Sequence, residues 1–180
     1  MSAQFIAGKE VQGKEKCIVA VDLGYSKKER SCGFCTSENG ATGLEFGKMV
    51  KEVSKILNAS KDPLLVIEAP LSTYHNDRGN PDIRFDAERG HGWYCHAGAE
   101  VLLGALRLLK QLSIMSHSSQ EIRIAEAFFT QENGKKKDPE VAKLIVEKFE
   151  KSTPVKTKEP REQICDLIDK APNIYDFGNL

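Results

Sequence analysis

This chain lacks the features that mark membrane, secreted and disulfide-stapled proteins. No apolar run reaches the ~20 residues that a membrane-spanning helix needs. The first residues have no long apolar h-region, so the sequence predicts neither a span nor a signal peptide. Cysteine is sparse: the five are odd in number and irregularly spaced, which predicts reduced thiols and a cytoplasmic setting. The only Cys-x-x-Cys is Cys32–Cys35, with no second pair to complete a zinc site. In a strand, residues three apart point to opposite faces, so both are expected to be core thiols. An excess of charge of one sign is also missing. Lys plus Arg and Asp plus Glu number 26 each, which argues against a generic polyanion binder but leaves room for a local basic face. No internal repeat is present, and 180 residues are most simply one domain with a real core.

Hydrophobic residues at 40% and charged residues at 29% are ordinary for a soluble globular chain. Within them, Lys16 to Gly24 reads as a strand over residues 15–23. Ile18 and Ala20 share a face with Asp22, while Cys17, Val19 and Val21 line the other. Apolar on both faces, it belongs mid-sheet, and it ends on an acid whose burial needs a compensating cation, hydrogen-bond network or metal. Leu64-Leu65-Val66-Ile67-Glu68 repeats the arrangement. Two such strands, each delivering one acid at its exit, suggest a divalent-metal site.

Residues 1–14 read as a flexible N-terminal arm and 15–180 as a single domain. Strands are expected at 31–37 and 42–46, joined by a two-residue hairpin at Asn39-Gly40. Phe46, Met49, Val50, Val53, Ile56 and Leu57 recur at helical spacing and stop at Asn58. Residues 69–95 look irregular, and loops of that length are usually functional or disordered. A helix follows over 96–113, then a strand over 121–129 with Ile122, Ile124, Glu126 and Phe128 on one face. Asp138-Pro139 reads as N-cap and first helical residue of the next helix. Residues 151–158 read as a linker, and 161–170 as a last helix. The order β-β-β-α-β-α-β-α, plus that last helix, predicts an α/β fold: a mixed five-stranded sheet, three antiparallel strands then alternating helices and strands, with helices on both faces.

That order, with Val21-Asp22-Leu23-Gly24-Tyr25-Ser26 on the first strand and Val66-Ile67-Glu68-Ala69-Pro70-Leu71 on the fourth, resembles the ribonuclease H-like superfamily. It is most similar to the predicted-nuclease families and the Holliday-junction-resolvase branch, where the second acid sits on strand four. The resemblance implies that strands one and four lie side by side and that Asp22 and Glu68 converge to bind Mg²⁺ or Mn²⁺, for which hard oxygen ligands are suited. It implies hydrolysis or transfer at a DNA or RNA phosphate. A third acid commonly comes from the last helix; Asp166 and Asp169 are the candidates, Asp166 as the metal ligand. On a helical wheel, however, Ile164, Leu167, Ile168 and Ala171 form one face and both aspartates fall away from it. Glu126 is the other contender.

Each candidate has a structural alternative. Asp22 can cap the turn at Gly24 and pair with Lys27, Lys28 or Arg30, and Lys27 can instead meet substrate phosphate. Glu68 can pair with Arg78, Arg84 or Arg89. In the loop from Arg84 to His96, Arg84 and Arg89 suit phosphates and Trp93 or Tyr94 a stacked base; the same loop can simply fold over its aromatics, with His91 and His96 structural. Lys135-Lys136-Lys137 suits a backbone track, though a solvated loop tip accounts for it equally. Three functions follow. The leading one is a metal-dependent nuclease or related phosphodiester-acting enzyme. The second is a non-catalytic module of the same fold, monomeric or dimeric. The third is an ATP-dependent phosphotransferase, because Asp22-Leu23-Gly24-Tyr25-Ser26 also resembles the first phosphate loop of the actin and sugar kinase superfamily. That superfamily needs a second domain and a second Asp-Gly loop, and neither is found here.

Overall fold

A computed structural model describes residues 4–6, 17–24, 32–69, 71–75, 81–82, 97–117, 119–128, 137–151, 155–156, 162–163 and 173–176. The strands are β1 (Gln4–Ile6), β2 (Cys17–Leu23), β3 (Cys32–Thr36), β4 (Thr42–Leu44), β5 (Pro63–Glu68), β6 (Ser72–His75), β7 (Pro81–Asp82), β8 (Glu121–Phe128), β9 (Val155–Lys156), β10 (Glu162–Gln163) and β11 (Asn173–Asp176). The helices are α1 (Phe46–Ala59), α2 (Ala97–Met115) and α3 (Asp138–Lys151).

The main sheet runs β4-β3-β2-β5-β8-β11-β9, so the five expected strands are consecutive within it. β2 is antiparallel to β3 and β3 to β4, whereas β2, β5 and β8 are mutually parallel. Parallel neighbours need a crossover; α1 lies between β2 and β5 in the chain, and α2 between β5 and β8. The fold is therefore α/β with a mixed sheet.

Strand alternation separates two cores. Val19, Val21, Leu23, Leu65, Ile67, Ile122 and Ile124 pack with Met49, Val53 and Leu57 of α1 and Leu108, Leu109 and Leu112 of α2. On the opposite face, Ile18, Ala20, Leu64, Val66, Ala125 and Ala127 pack with Val141, Ile145 and Phe149 of α3. Helices thus cover both faces, as the doubly apolar β2 predicts. Cys32 falls in the first core and Cys35 in the second, so the Cys-x-x-Cys pair is split across the sheet. α3 seats closely on β3, because a methyl group at Gly33 would overlap the Asp138 carbonyl. The ends of α1 and α2 are clasped by Asn58, whose Nδ2 donates to Met115 O (3.2 Å) and whose Oδ1 accepts from His117 N (3.1 Å).

Several expectations need correction. The hairpin is not a two-residue turn: pairing with β4 closes at Phe34–Thr42, β3 runs on against β2 to Thr36, and residues 37–41 form the connection. Gly40 does not take the positive φ that a type I′ turn requires, and Thr36 Oγ1 instead accepts the Asn39 amide at 2.9 Å. α3 starts one residue early, with the Lys137 amide donating to Glu140 Oε2 at 3.3 Å. Within the span read as an arm, Gln4–Ile6 pairs parallel with Glu121–Arg123 and buries Phe5. The segment 69–95, read as irregular, contains the β6–β7 hairpin. The helix expected from residue 161 opens as β10, paired with Ser72–Thr73; residues 164–170 lie outside the described residues.

Candidate functional site

Asp22 and Glu68 are Cα partners across the parallel pair β2–β5. Glu68 closes β5 and Asp22 is the last residue but one of β2; both are half-buried, and alternation puts them on the α3 face above Ile18, Ala20, Leu64 and Val66. The apolar residues below explain the placement: burying them fixes the register, and a slip of one residue would turn either acid to the other face. Neighbouring strands lie ~4.8 Å apart. The two acid-bearing positions are therefore direct neighbours across the ladder, close enough for their charges to act on one another. The crevice beyond the carboxyl ends of parallel strands is also where open α/β sheets bind ligands.

The row continues across the sheet. Asp22 pairs with Gly33 on β3, and α3 begins against Gly33 with Asp138. Asp138 is thereby a third acid on the same side of the sheet. Burial raises its pKa above the usual 3.8 and outweighs the hydrogen bond from its own backbone. Sequence reading took Asp138 only as a cap; a glycine opposite Asp22, making room for a helix that opens on an acid, is the signal that points to it.

Glu126 does not join this group. It is fully buried and pairs with Ile67, which puts it on the α1/α2 face, opposite Asp22 and Glu68. There its Oε2 accepts the Leu71 amide at 3.0 Å. The expected shared face with Ile124 holds, but that face is core rather than cleft. Lys27, Arg84, Arg89, His91, Trp93, His96, Asp166 and Asp169 lie outside the described residues; of the lysine run, Lys137 is described and exposed. Among the described residues, no three His, Cys, Asp or Glu side chains gather closely enough to hold a metal ion.

A cavity of about 470 Å³, lined by residues including Asn58, Lys61, Asp62, His117 and Gln120, opens at the amino ends of β5 and β8. It lies ~20 Å along β5 from Glu68, given the ~3.3 Å rise per strand residue, and holds none of the expected site residues. Its amide nitrogens are engaged in helix capping, with Gln120 Nε2 donating to the Leu57 and Ser60 carbonyls.

Comparisons with protein-family models, with curated proteins and with solved structures give no match to this chain. No described helix is long and apolar enough to cross a membrane.

Proposed function

We propose that this chain is a ribonuclease H-like, divalent-metal-dependent nuclease, or a close relative acting on nucleic-acid phosphodiesters. The observation that carries the reading is the register pairing of Asp22 with Glu68 at the carboxyl ends of two adjacent parallel strands. Two carboxylates are an all-oxygen donor set, which fits Mg²⁺ or Mn²⁺ rather than a softer metal. Asp22 and Glu68 would hold the ion, with Asp166 or Asp169 as the further acid. Once bound, such an ion neutralises phosphate charge and activates water. The protein's own part is to fix the spacing of the two acids through the strand ladder and to lay the nucleic acid across the β2–β5 exit. Lys27, Arg84, Arg89 and Trp93 are the proposed phosphate- and base-contacting residues. Purified protein should cleave at least one of single-stranded, duplex or branched DNA or RNA with Mg²⁺ or Mn²⁺, and Asp22→Asn and Glu68→Gln should abolish cleavage. Inactivity of the wild type across that panel would overturn the reading.

A second reading, a non-catalytic nucleic-acid- or partner-binding module, is favoured by the lack of a three-acid cluster among the described residues and by the balanced charge. It predicts only weak Mn²⁺ binding and no cleavage.

A further inference from the structure

The buried Glu126 calls for an explanation, since a carboxylate on an apolar sheet face is costly to desolvate. Its neighbours across and along the strands are Ile67 and Ile124, and the facing helices present leucine, valine and methionine.

Its position is distinctive. β5 is paired to β8 from Leu64–Arg123 up to Ile67–Glu126, and no pairing follows. Beyond this point β8 is paired on its other edge by β11, whose residues match 125–128. The β5 chain turns away through Ala69 and Leu71, both fully buried, into β6. Glu126 thus stands where two parallel strands part. Its Oε2 takes the Leu71 amide at 3.0 Å, so a side chain replaces the ladder bond that the departing backbone has lost. Glu68 lies between the last β5–β8 pair and that clamp, held by the Asp22 partnership on one edge and by the Glu126 bond three residues downstream.

We infer that Glu126 is a positioning residue, clamping the exit of β5 through the Leu71 amide so that Glu68 stays level with Asp22. It acts through backbone from the opposite face of the sheet and touches neither carboxylate's substrate side. The inference rests on the metal-site reading above and deepens it.

The test compares wild type, Glu126→Gln, which keeps an acceptor, and Glu126→Met, which keeps length but removes it; Glu126→Leu is the second apolar variant should the Met protein not fold. Three quantities are read: Leu71 amide exchange, Mn²⁺ affinity and melting temperature. The apolar variant should speed Leu71 exchange and weaken Mn²⁺ binding by about tenfold or more each, tenfold being the lower end of what one hydrogen bond to a charged group is worth. Its melting temperature should stay close to that of the wild type, because the desolvation cost of a buried carboxylate is removed together with its bonds. Glu126→Gln should behave as wild type in all three. Unchanged Leu71 exchange, or faster exchange with unchanged Mn²⁺ affinity, overturns the inference. A loss of Mn²⁺ affinity that merely follows a fall in melting temperature overturns it too, in favour of a general stability role. A wild type that binds no Mn²⁺ overturns the site reading and this inference with it, an outcome distinguishable from failure of the clamp alone.

Discussion

Gly33→Ala tests how closely α3 is seated beside Asp22. The added methyl would overlap the Asp138 carbonyl and crowd the Pro139 nitrogen, both backbone atoms that cannot rotate aside. Overpacking of this kind typically costs 1–3 kcal/mol, and a backbone obstacle puts the cost near ~3. Alanine recovers about 0.5–1 kcal/mol because it gives up less conformational entropy in a strand than glycine. The steric term wins, leaving a net loss of about 2 kcal/mol. For a chain of this size that is a fall of roughly 4–8 °C in melting temperature. The internal control is Gly40→Ala, where a methyl meets open space and the change should stay within about 0.5 kcal/mol. Thermal and urea unfolding of both variants read the difference. If Gly33→Ala is as stable as Gly40→Ala, α3 does not rest on β3 as described, and Asp138 loses its place beside the Asp22 row.

Other consequences are equally direct. Because burial raises Asp138 above 3.8, the folded protein holds that proton more tightly than the unfolded chain, and ionisation at neutral pH costs stability that is regained as pH falls through the raised value. Asp138→Asn should therefore melt at or above wild type at pH 7, with the gap closing below pH 3.8; a gap that widens on acidification would refute this. Ile67→Ala, at a fully buried site between β5 and the α1/α2 layer, should cost about 2–5 kcal/mol in urea unfolding. Asn58→Ala removes both bonds of the α1–α2 clasp and should cost about 1–3 kcal/mol in the same assay. Burial also pushes the Cys35 thiol up, so native-state alkylation mapped by mass spectrometry should label half-buried Cys17 well before Cys35 or the equally buried Cys32.

The central layers were legible in the sequence because burial writes itself into periodicity. Cys17 to Leu23 is apolar on both faces and lies mid-sheet; Met49, Val50, Val53 and Leu57 form the buried stripe of α1. The side-by-side placement of the strands bearing Asp22 and Glu68 came from the topology that the resemblance implied, and β2 and β5 do pair there. What escaped were short strands whose existence depends on a neighbour's edge. Gln4–Ile6 and Asn173–Asp176 carry too few residues for an alternating pattern, yet each finds a free stretch of β8 to pair with. The same cause undid the helix expected from residue 161, where Glu162 and Gln163 pair with β6. Glu126 misled differently. The alternation with Ile124 was right, but which face of β8 lies on the Asp22–Glu68 side is a tertiary fact, and Glu126 lies on the other one, in the core. Asp138 was hidden because its nearness to Asp22 runs through Gly33, a contact between distant parts of the chain.

The most direct test of the proposed site is a Mn²⁺ titration of wild type, Asp22→Asn and Glu68→Gln, followed by electron paramagnetic resonance of the free ion. The account predicts a saturable site in the wild type that either substitution removes while the protein stays folded. Equal Mn²⁺ binding by all three proteins, or none by the wild type, would contradict it.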